Sequence, residues 1–230
     1  DRYRTFARAA GSKPVGAMNR AYTSVQTPLL DRLSEDMTKS AVNGYLPMLI
    51  GRDSEMNQLL RAIEGGRQSV VLVGQPGVGK RSIVSGLAQR MASEDVPEIL
   101  QDKRLVKLSV PHIISSGSNP QELFLVAMSE VARSGNIVLV IENIHELVSA
   151  GVDLSSVLSS ELDKGYTFVI ATTTPQAYLE VIERSTLSQK LEKIKVEEPE
   201  RNEAIQVLES KVGSMENKNN VVFTYESLQA

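Results

Sequence analysis

Short, continuous apolar runs are the feature of this 230-residue chain that most constrains its fold. Four such runs are separated by helix-like stretches, and a fifth, less apolar one follows. They cover residues 69–73, 105–110, 137–141, 167–171 and 193–196. A strand that is apolar on both sides must be covered on both sides, as in a parallel sheet between two helix layers. We therefore predict a three-layer α/β fold around a parallel five-stranded sheet.

Helical periodicity surrounds these runs. Apolar residues recur every three or four positions over residues 29–42, which predicts one helix with a single apolar face. A second helix is predicted over residues 53–64, with a capping residue at its start and a glycine pair at its end. After residue 199 we expect a helix to about residue 213, followed by a polar turn over residues 216–220.

The composition excludes several classes of function. Lysine and arginine number 25 against 28 aspartate and glutamate, a net charge of −3, whereas a dedicated nucleic-acid-binding surface is basic. The absence of cysteine excludes a thiol nucleophile and a Cys-based zinc site, and two histidines are a poor basis for a metal centre. The apolar runs are far shorter than the ~18 residues that suggest a membrane span. We therefore predict a globular, cytoplasmic protein that binds no nucleic acid.

Residues 1–28 form a basic leader or linker. This stretch carries five arginines and lysines against one acidic residue. Two interpretations stay open: a solvated tether, or a basic segment that lies beside anionic lipid or an acidic partner. The chain begins with Asp1 rather than methionine. We interpret it as an excerpt, so that any membrane tether would belong to regions outside it.

A glycine-rich loop directly follows the first apolar run. It reads GQPGVGK over residues 74–80, and a helix-like stretch follows it. Glycines let the backbone curl until several N–H groups point into one concavity, the helix N-terminus adds partial positive charge, and the lysine reaches the outer phosphates. The order of strand, loop and helix therefore predicts a binding site for ATP or ADP. The predicted nucleotide-binding residues of this loop are Gln75, Pro76, Gly77, Val78, Gly79, Lys80, Arg81 and Ser82.

Two positions depart from the pattern of phosphoryl-transfer enzymes. A Ser or Thr hydroxyl normally follows the lysine and binds magnesium, but Arg81 stands there, and Ser82 lies ~100° further around the helix. The third apolar run ends in Glu142 and Asn143, where an acidic residue normally holds the metal and a second carboxylate activates water. Glu142 would hold magnesium if magnesium binds. Because an amide cannot accept a proton, we expect weak or absent hydrolysis.

Arg81 and Glu142 are also candidate partners for each other. A guanidinium paired with a carboxylate would fill the place of the metal and neutralise phosphate charge without a divalent ion. In the alternative, Arg81 points into solvent. The sequence leaves both open, and it predicts no metal site apart from magnesium at Glu142.

Nearly all of the chain after the basic leader resembles the first AAA+ module of the Clp unfoldases, the ClpA, ClpB and ClpC type. The segments that carry the resemblance are PLLDRLSEDMT, LIGRDSEM, VLVGQPGVGK, GLAQRMASEDVPEILQDKRLVKL, GNIVLVIENIH, ATTT and EEPERNEAIQVL. The resemblance implies a P-loop AAA+ fold, with the nucleotide-binding large subdomain over residues 29–198 and the start of a helical lid over residues 199–230. It also implies that Ile50 and Gly51 pack against adenine. Thr172 or Thr173 falls in the sensor-one segment, whose hydroxyl reads the γ-phosphate.

Several functional positions of that family differ in this chain. Arg81 stands where the family has its magnesium-binding threonine, and Glu142 and Asn143 stand for an Asp-Glu pair. The two arginines that act in a neighbouring subunit's site correspond to Gln189 and Lys190. The pore-loop region near residues 115–118 holds no aromatic residue.

These departures favour a Clp-like AAA+ domain that binds ATP or ADP, hydrolyses it poorly and acts as a nucleotide-binding or assembly module. Two alternatives stay open: an active ATPase of a protein-remodelling machine, and an interaction domain that binds no nucleotide. The implied partners are other AAA+ subunits or a protein client. With the family's borrowed arginines absent, a monomeric isolated domain is compatible with the sequence.

Overall fold

Six strands form one sheet, and all but an edge strand run parallel. The computed structural model describes residues 26–65, 69–116, 119–149, 153–219, 221–224 and 227. Within these ranges the strands are β1 Ser34–Asp36, β2 Ser69–Val73, β3 Arg104–Leu108, β4 Ile137–Ile141, β5 Phe168–Thr173 and β6 Leu191–Lys195. Their order across the sheet is β1-β3-β4-β5-β2-β6, with only β1 antiparallel to its neighbour. The predicted α/β fold with five parallel strands is confirmed, and β1 adds a sixth.

Helices cover both faces of the sheet. In chain order they are α1 Pro28–Leu33, α2 Met37–Val42, α3 Asp53–Gly65, α4 Lys80–Ala92, α5 Val110–Ser115, α6 Pro120–Ser134, α7 Glu146–Ser149, α8 Ser155–Asp163, α9 Pro175–Ala177 and α10 Arg201–Asn219. A 3₁₀ turn covers Glu98–Leu100, and a π-helical turn covers Tyr178–Ile182. Buried side chains of α2, α3 and α4 form one apolar core, and those of α1, α5, α6, α7 and α8 form the other.

The central strands are apolar on both faces because each face meets one of these cores. All five side chains of β2 are buried, and so are all five of β4. In β2, Val70 and Leu72 pack into the core with α4, whereas Val71 and Val73 pack into the core with α6. Alternate side chains of a strand point to opposite faces, so an uninterrupted apolar run serves both layers.

The prediction of one helix over residues 29–42 is wrong, because β1 interrupts it. Strand β1 pairs with β3, with Ser34 opposite Leu108. The Ser34 hydroxyl donates a hydrogen bond to the carbonyl of Leu30 at 2.5 Å, and the Asp36 carboxylate accepts one from the backbone N–H of Lys39 at 2.9 Å. One contact ends α1 and the other caps α2. Sheet pairing therefore overrides a helical pattern that both short helices still satisfy.

The polar turn predicted over residues 216–220 is also wrong where the structure describes it, since α10 continues to Asn219. Glu216 and Lys218 have high helix propensity, so the polarity of this stretch is compatible with a helix. Residues 1–25 of the predicted leader lie outside the described residues. The subdomain boundaries at residues 29–198 and 199–230 stay predictions. No helix in the described part of the chain is long and apolar enough to cross a membrane.

Candidate nucleotide-binding site

The candidate site lies where the carboxyl ends of β2, β4 and β5 meet at one edge of the sheet. The phosphate loop follows β2, Glu142 and Asn143 follow β4, and Thr172 and Thr173 end β5. Parallel strands bring their carboxyl ends to the same edge, where ligands of open α/β sheets bind. A cleft of about 320 Å³ opens there. The predicted site residues that line it are Pro76, Gly77, Gly79, Lys80, Arg81, Ser82, Glu142, Asn143 and Thr172.

The phosphate loop has the backbone that its glycines permit. Gly77 and Gly79 have φ values of +82° and +107°, a region that residues with a side chain rarely adopt. Gly79 is also the N-cap of the 13-residue helix α4, whose positive end faces the cleft. The Lys80 ammonium donates hydrogen bonds to the carbonyls of Gly74 at 2.7 Å and Gln75 at 2.9 Å. Burial lowers the pKa of Lys80 from its ordinary value.

Arg81 and Glu142 form a bidentate pair across the cleft. Arg81 Nε lies 2.8 Å from Glu142 Oε1, and Arg81 Nη2 lies 2.6 Å from Glu142 Oε2. The contact proposed from the sequence is therefore present, and the alternative of Arg81 in solvent with no partner is wrong. Burial by itself would raise the pKa of the Glu142 carboxyl, but the hydrogen bonds and charge of Arg81 outweigh burial and lower it. The same pair raises the pKa of Arg81, so both groups stay charged.

Asn143 lines the cleft just after the carboxyl end of β4. Its φ is +51°, a left-handed conformation that asparagine tolerates better than most residues. Its backbone N–H donates to the Thr172 hydroxyl at 3.2 Å, and its side-chain Nδ2 donates to Glu146 Oε1 at 3.0 Å. The carboxamide is therefore held in place by a carboxylate, but it has no basic atom that could remove a proton from water.

The two sensor candidates have different surroundings. Both threonines are buried, but Thr172 lines the cleft, whereas the Thr173 hydroxyl lies 3.1 Å from His145 Nδ1. The geometry thus favours Thr172 as the residue that a phosphate could meet. His145 contacts Thr173 and is not among the residues that line the cleft.

Four predicted binding residues lie outside this cleft. Val78 is buried, and Gln75 and Val78 line a neighbouring apolar depression beside β6. Gly51, with φ +64°, lines a separate cleft between α2 and α4. A Cβ on Gly51 would lie 3.4 Å from the Glu203 carboxyl carbon, so the start of α10 covers this glycine. Ile50 is half-buried beside it.

Arg52 is a site residue that the sequence-based reasoning missed. Its guanidinium lies under the phosphate loop and donates hydrogen bonds to the Val78 carbonyl, the Glu197 carbonyl and Glu55 Oε1, each at 2.7 Å. It is only 9% exposed, and its φ is +67°. Arg52 thereby ties the loop to the segment that leads from β6 to α10. Its position next to Gly51 in LIGRDSEM was the only available signal.

A family model supplies the observation that decides the family. The model described as "ATPase family associated with various cellular activities (AAA)" matches residues 70–196, which is more than half of the chain. The match begins in β2 and ends just after β6, so it contains the whole cleft. This chain belongs to the AAA family.

Among curated proteins, this AAA domain is similar to Clp proteins. It is 33% identical over 218 residues to the chaperone protein ClpB of Oceanobacillus iheyensis, covering 90% of this chain and 27% of that protein. It is 32% identical over 230 residues to "Negative regulator of genetic competence ClpC/MecB" of Bacillus subtilis, covering 96% of this chain and 28% of that protein. The AAA domain thus spans less than a third of the length of these relatives.

Among solved structures, the AAA domain resembles Hsp104. A closed-state structure of Hsp104 with ATPγS and FITC-casein matches with a TM-score of 0.79 and 30% identity, covering 86% of this chain and 35% of that chain. The Saccharomyces cerevisiae Hsp104–ADP complex matches with a TM-score of 0.77 and 30% identity, covering 87% and 36%. The P-loop AAA+ fold implied by the resemblance is therefore confirmed.

The donor set of the AAA domain does not fit the magnesium ion that phosphoryl-transfer sites use. Magnesium requires oxygen ligands in near-octahedral geometry. The residue after the lysine presents a guanidinium instead of a hydroxyl, and both Glu142 oxygens accept hydrogen bonds from it.

The two positions that the resemblance matches to the neighbour-acting arginines lie at the opposite edge of the sheet. Gln189 and Lys190 precede β6 and line a cleft of about 500 Å³. Lys190 forms an ion pair with Asp163 of its own chain. Because Lys190 is paired with a carboxylate, its positive field at an incoming phosphate is weaker.

Proposed function

We propose that this chain is an AAA+ nucleotide-binding module of a Clp-like protein, that it binds ATP or ADP in the phosphate-loop cleft, and that it hydrolyses ATP poorly or not at all. One arrangement carries the proposal. The strand, glycine loop and lysine that hold phosphates are intact, while a guanidinium–carboxylate pair and an asparagine occupy the positions that hydrolysis needs.

The binding half of the proposal follows from the loop. Backbone N–H groups at the positive end of α4 and the Lys80 ammonium favour an anion. Lys80 contacts two loop carbonyls, so its ammonium must turn from them towards the phosphates when a nucleotide binds. The ammonium would then exchange neutral carbonyl acceptors for anionic phosphate oxygens, which adds the attraction between opposite charges.

The impaired-hydrolysis half follows from Asn143. A positioned base contributes typically about 10²–10⁴-fold to the rate of a reaction that it assists. An amide can orient a water molecule but cannot take its proton. The module would then act through nucleotide binding, as an assembly or scaffolding unit beside other AAA+ subunits or a protein client. We expect a cytoplasmic location for such a module.

The test combines binding and turnover on one preparation. We expect ATP and ADP to raise the melting temperature, since a ligand at 100 times its Kd stabilises the native state by about 2.7 kcal/mol. We expect phosphate release close to the uncatalysed background. Lys80→Ala should abolish the melting shift, whereas Lys218→Ala, an exposed lysine in the last turn of α10, should retain it. A shift that survives Lys80→Ala, or no shift with any nucleotide, would contradict binding in this cleft.

One contact favours a second candidate function, an active ATPase with an altered site. The Glu146 carboxylate lies 3.0 Å from Asn143 Nδ2, and Glu146 is the next acidic residue after Glu142 along the sequence. If Glu146 supplies the missing base, steady phosphate release will be measurable, and both Lys80→Ala and Glu146→Gln will abolish it. Release that depends on Lys80 but not on Glu146 would exclude Glu146 as the base.

A further inference from the structure

Arg81 lies where it can contact both a bound phosphate and Glu142. It is the second residue of α4, directly after the phosphate lysine, and its side chain is 76% exposed at the mouth of the cleft. Glu142 holds two of its five N–H donors. The remaining donors of the guanidinium face no described partner and are free to reach phosphate oxygens. A nucleotide can therefore bind Arg81 without breaking the Arg81–Glu142 pair.

The pair makes only a small contribution to the stability of the fold. Ion pairs as exposed as this one contribute about 0–1 kcal/mol to stability. The same bidentate geometry does fix the plane of the guanidinium, which would otherwise rotate on a flexible stem. Glu142 is accordingly a positioning residue for Arg81, and both side chains line the same cleft as the phosphate loop.

A second cation keeps Glu142 charged in this role. Lys107 on β3 lies opposite Val140 on β4, on the same face as Glu142 two residues further along. Lys107 also forms an ion pair with Glu35 at 2.7 Å. Positive and negative groups thus alternate from Glu35 through Lys107 and Glu142 to Arg81. The charge of Lys107 adds to that of Arg81 in lowering the pKa of Glu142.

The charges in the cleft match a nucleotide that carries no metal. ATP without magnesium is more negative than its magnesium complex, and here two adjacent cations and a helix N-terminus face it. A guanidinium binds phosphate through parallel hydrogen bonds. A metal ion at the same position could not make these hydrogen bonds. Magnesium on the phosphates would instead place a divalent cation beside the fixed charge of Arg81.

We propose that the guanidinium of Arg81, held by Glu142, takes the place of the divalent cation, so that this module binds ATP or ADP as the free polyphosphate and binds the magnesium complex more weakly. This inference rests on the proposed nucleotide-binding function. It concerns whether the nucleotide binds with or without magnesium, whereas the proposed function concerns whether the cleft binds nucleotide at all.

Calorimetric titration with ATP and with ADP, once in EDTA and once in excess magnesium chloride, tests the inference. We expect Kd to be about tenfold lower in EDTA, the order of effect of one charge-assisted hydrogen bond. Tighter binding in magnesium would overturn the inference and leave the proposed function standing. No binding in either buffer would overturn both.

Variants at Arg81 separate a role in binding from a role in folding. Arg81→Thr restores a hydroxyl after the lysine, and we expect magnesium to strengthen ATP binding in that variant instead of weakening it. Arg81→Lys keeps the charge without the bidentate fork and should keep a smaller preference for metal-free ATP. Arg61→Thr, an exposed arginine on α3, is the matched control and should behave as the unmodified chain does. An unchanged magnesium response in folded Arg81→Thr and Arg81→Lys would refute the role of the guanidinium.

Discussion

Replacing Gly86 by alanine tests whether packing beneath the site controls nucleotide binding. Gly86 is buried in the middle of α4. A Cβ at this position would lie 2.4 Å from Leu49 Cδ2 and 2.9 Å from Leu49 Cβ. Contacts this short force Leu49 to move, and Leu49 directly precedes Ile50 and Gly51. The substitution therefore displaces a segment implied in adenine contact without touching the phosphate loop.

The expected loss of stability is the balance of two effects. Inserting a methyl group into a packed site costs about 1–3 kcal/mol. Alanine in a helix interior is favoured over glycine by about 1 kcal/mol, which offsets part of that cost. We expect the free energy of unfolding of Gly86→Ala to fall by up to about 2 kcal/mol, and its melting temperature to fall by about 2–4 °C for each kcal/mol. We expect the affinity for ATP to fall as well, because Leu49 no longer holds its place.

Urea unfolding and ATP titration measure these two effects, and Gly65→Ala is the matched control. A Cβ on Gly65, the last residue of α3, would have no neighbouring atom within 4 Å, so this variant should lose neither stability nor affinity. Adding Leu49→Ala to Gly86→Ala should cost less than the sum of the two single changes. Additivity within about 0.5 kcal/mol, or a Gly86→Ala variant as stable as the control, would refute the steric reasoning.

Three further variants probe the contacts that hold the site together. Arg52→Ala should lower the free energy of unfolding by about 2–3 kcal/mol and weaken ATP binding, because it removes buried charged hydrogen bonds. Arg52→Lys should lose less stability. Equal denaturant midpoints for Arg52→Ala and the unmodified chain would contradict this. Glu130→Ala should lower the free energy of unfolding by about 2 kcal/mol, because this buried carboxylate accepts a hydrogen bond from the Leu30 backbone N–H at 2.8 Å at the start of α1. An unchanged midpoint in urea unfolding would argue against that cap. The pKa of Glu142 is lowered in the folded chain, so its pair with Arg81 stabilises the fold above the ordinary carboxyl pKa of 4.5 and loses that effect as the pH falls below it. Glu142→Gln should therefore flatten this part of the curve of stability against pH. Identical curves for the variant and the unmodified chain would refute the assignment.

Part of the site could be predicted because its chemistry is local in the sequence. The phosphate loop is formed by consecutive residues between a strand and a helix, and its glycines indicate the turn that they permit. The pairing of Arg81 with Glu142 joins residues 61 positions apart, yet it was foreseen as one of two options, because each residue departs from the same pattern in a complementary way. Nothing local could decide whether that pair forms.

Other contacts lie beyond any local pattern. Arg52 has a buried guanidinium whose partners lie 26 and 145 residues away, and a charged residue beside a glycine carries no sign of burial. Thr172 and Thr173 are adjacent and identical in type, so the pleat of β5 alone decides which one faces the cleft. Strand β1 has no apolar run, because an edge strand of three residues is held by backbone pairing rather than by side-chain burial.

The sequence by itself determined the layered α/β fold, the places of the five parallel strands along the chain and the phosphate loop. These depend on periodic burial and on backbone freedom, which neighbouring residues control. Only the tertiary structure decided the antiparallel edge strand, which of Thr172 and Thr173 lines the cleft, and the guanidinium under the loop. Each of these depends on side chains or strands that are far apart in the chain and meet only when the sheet has formed.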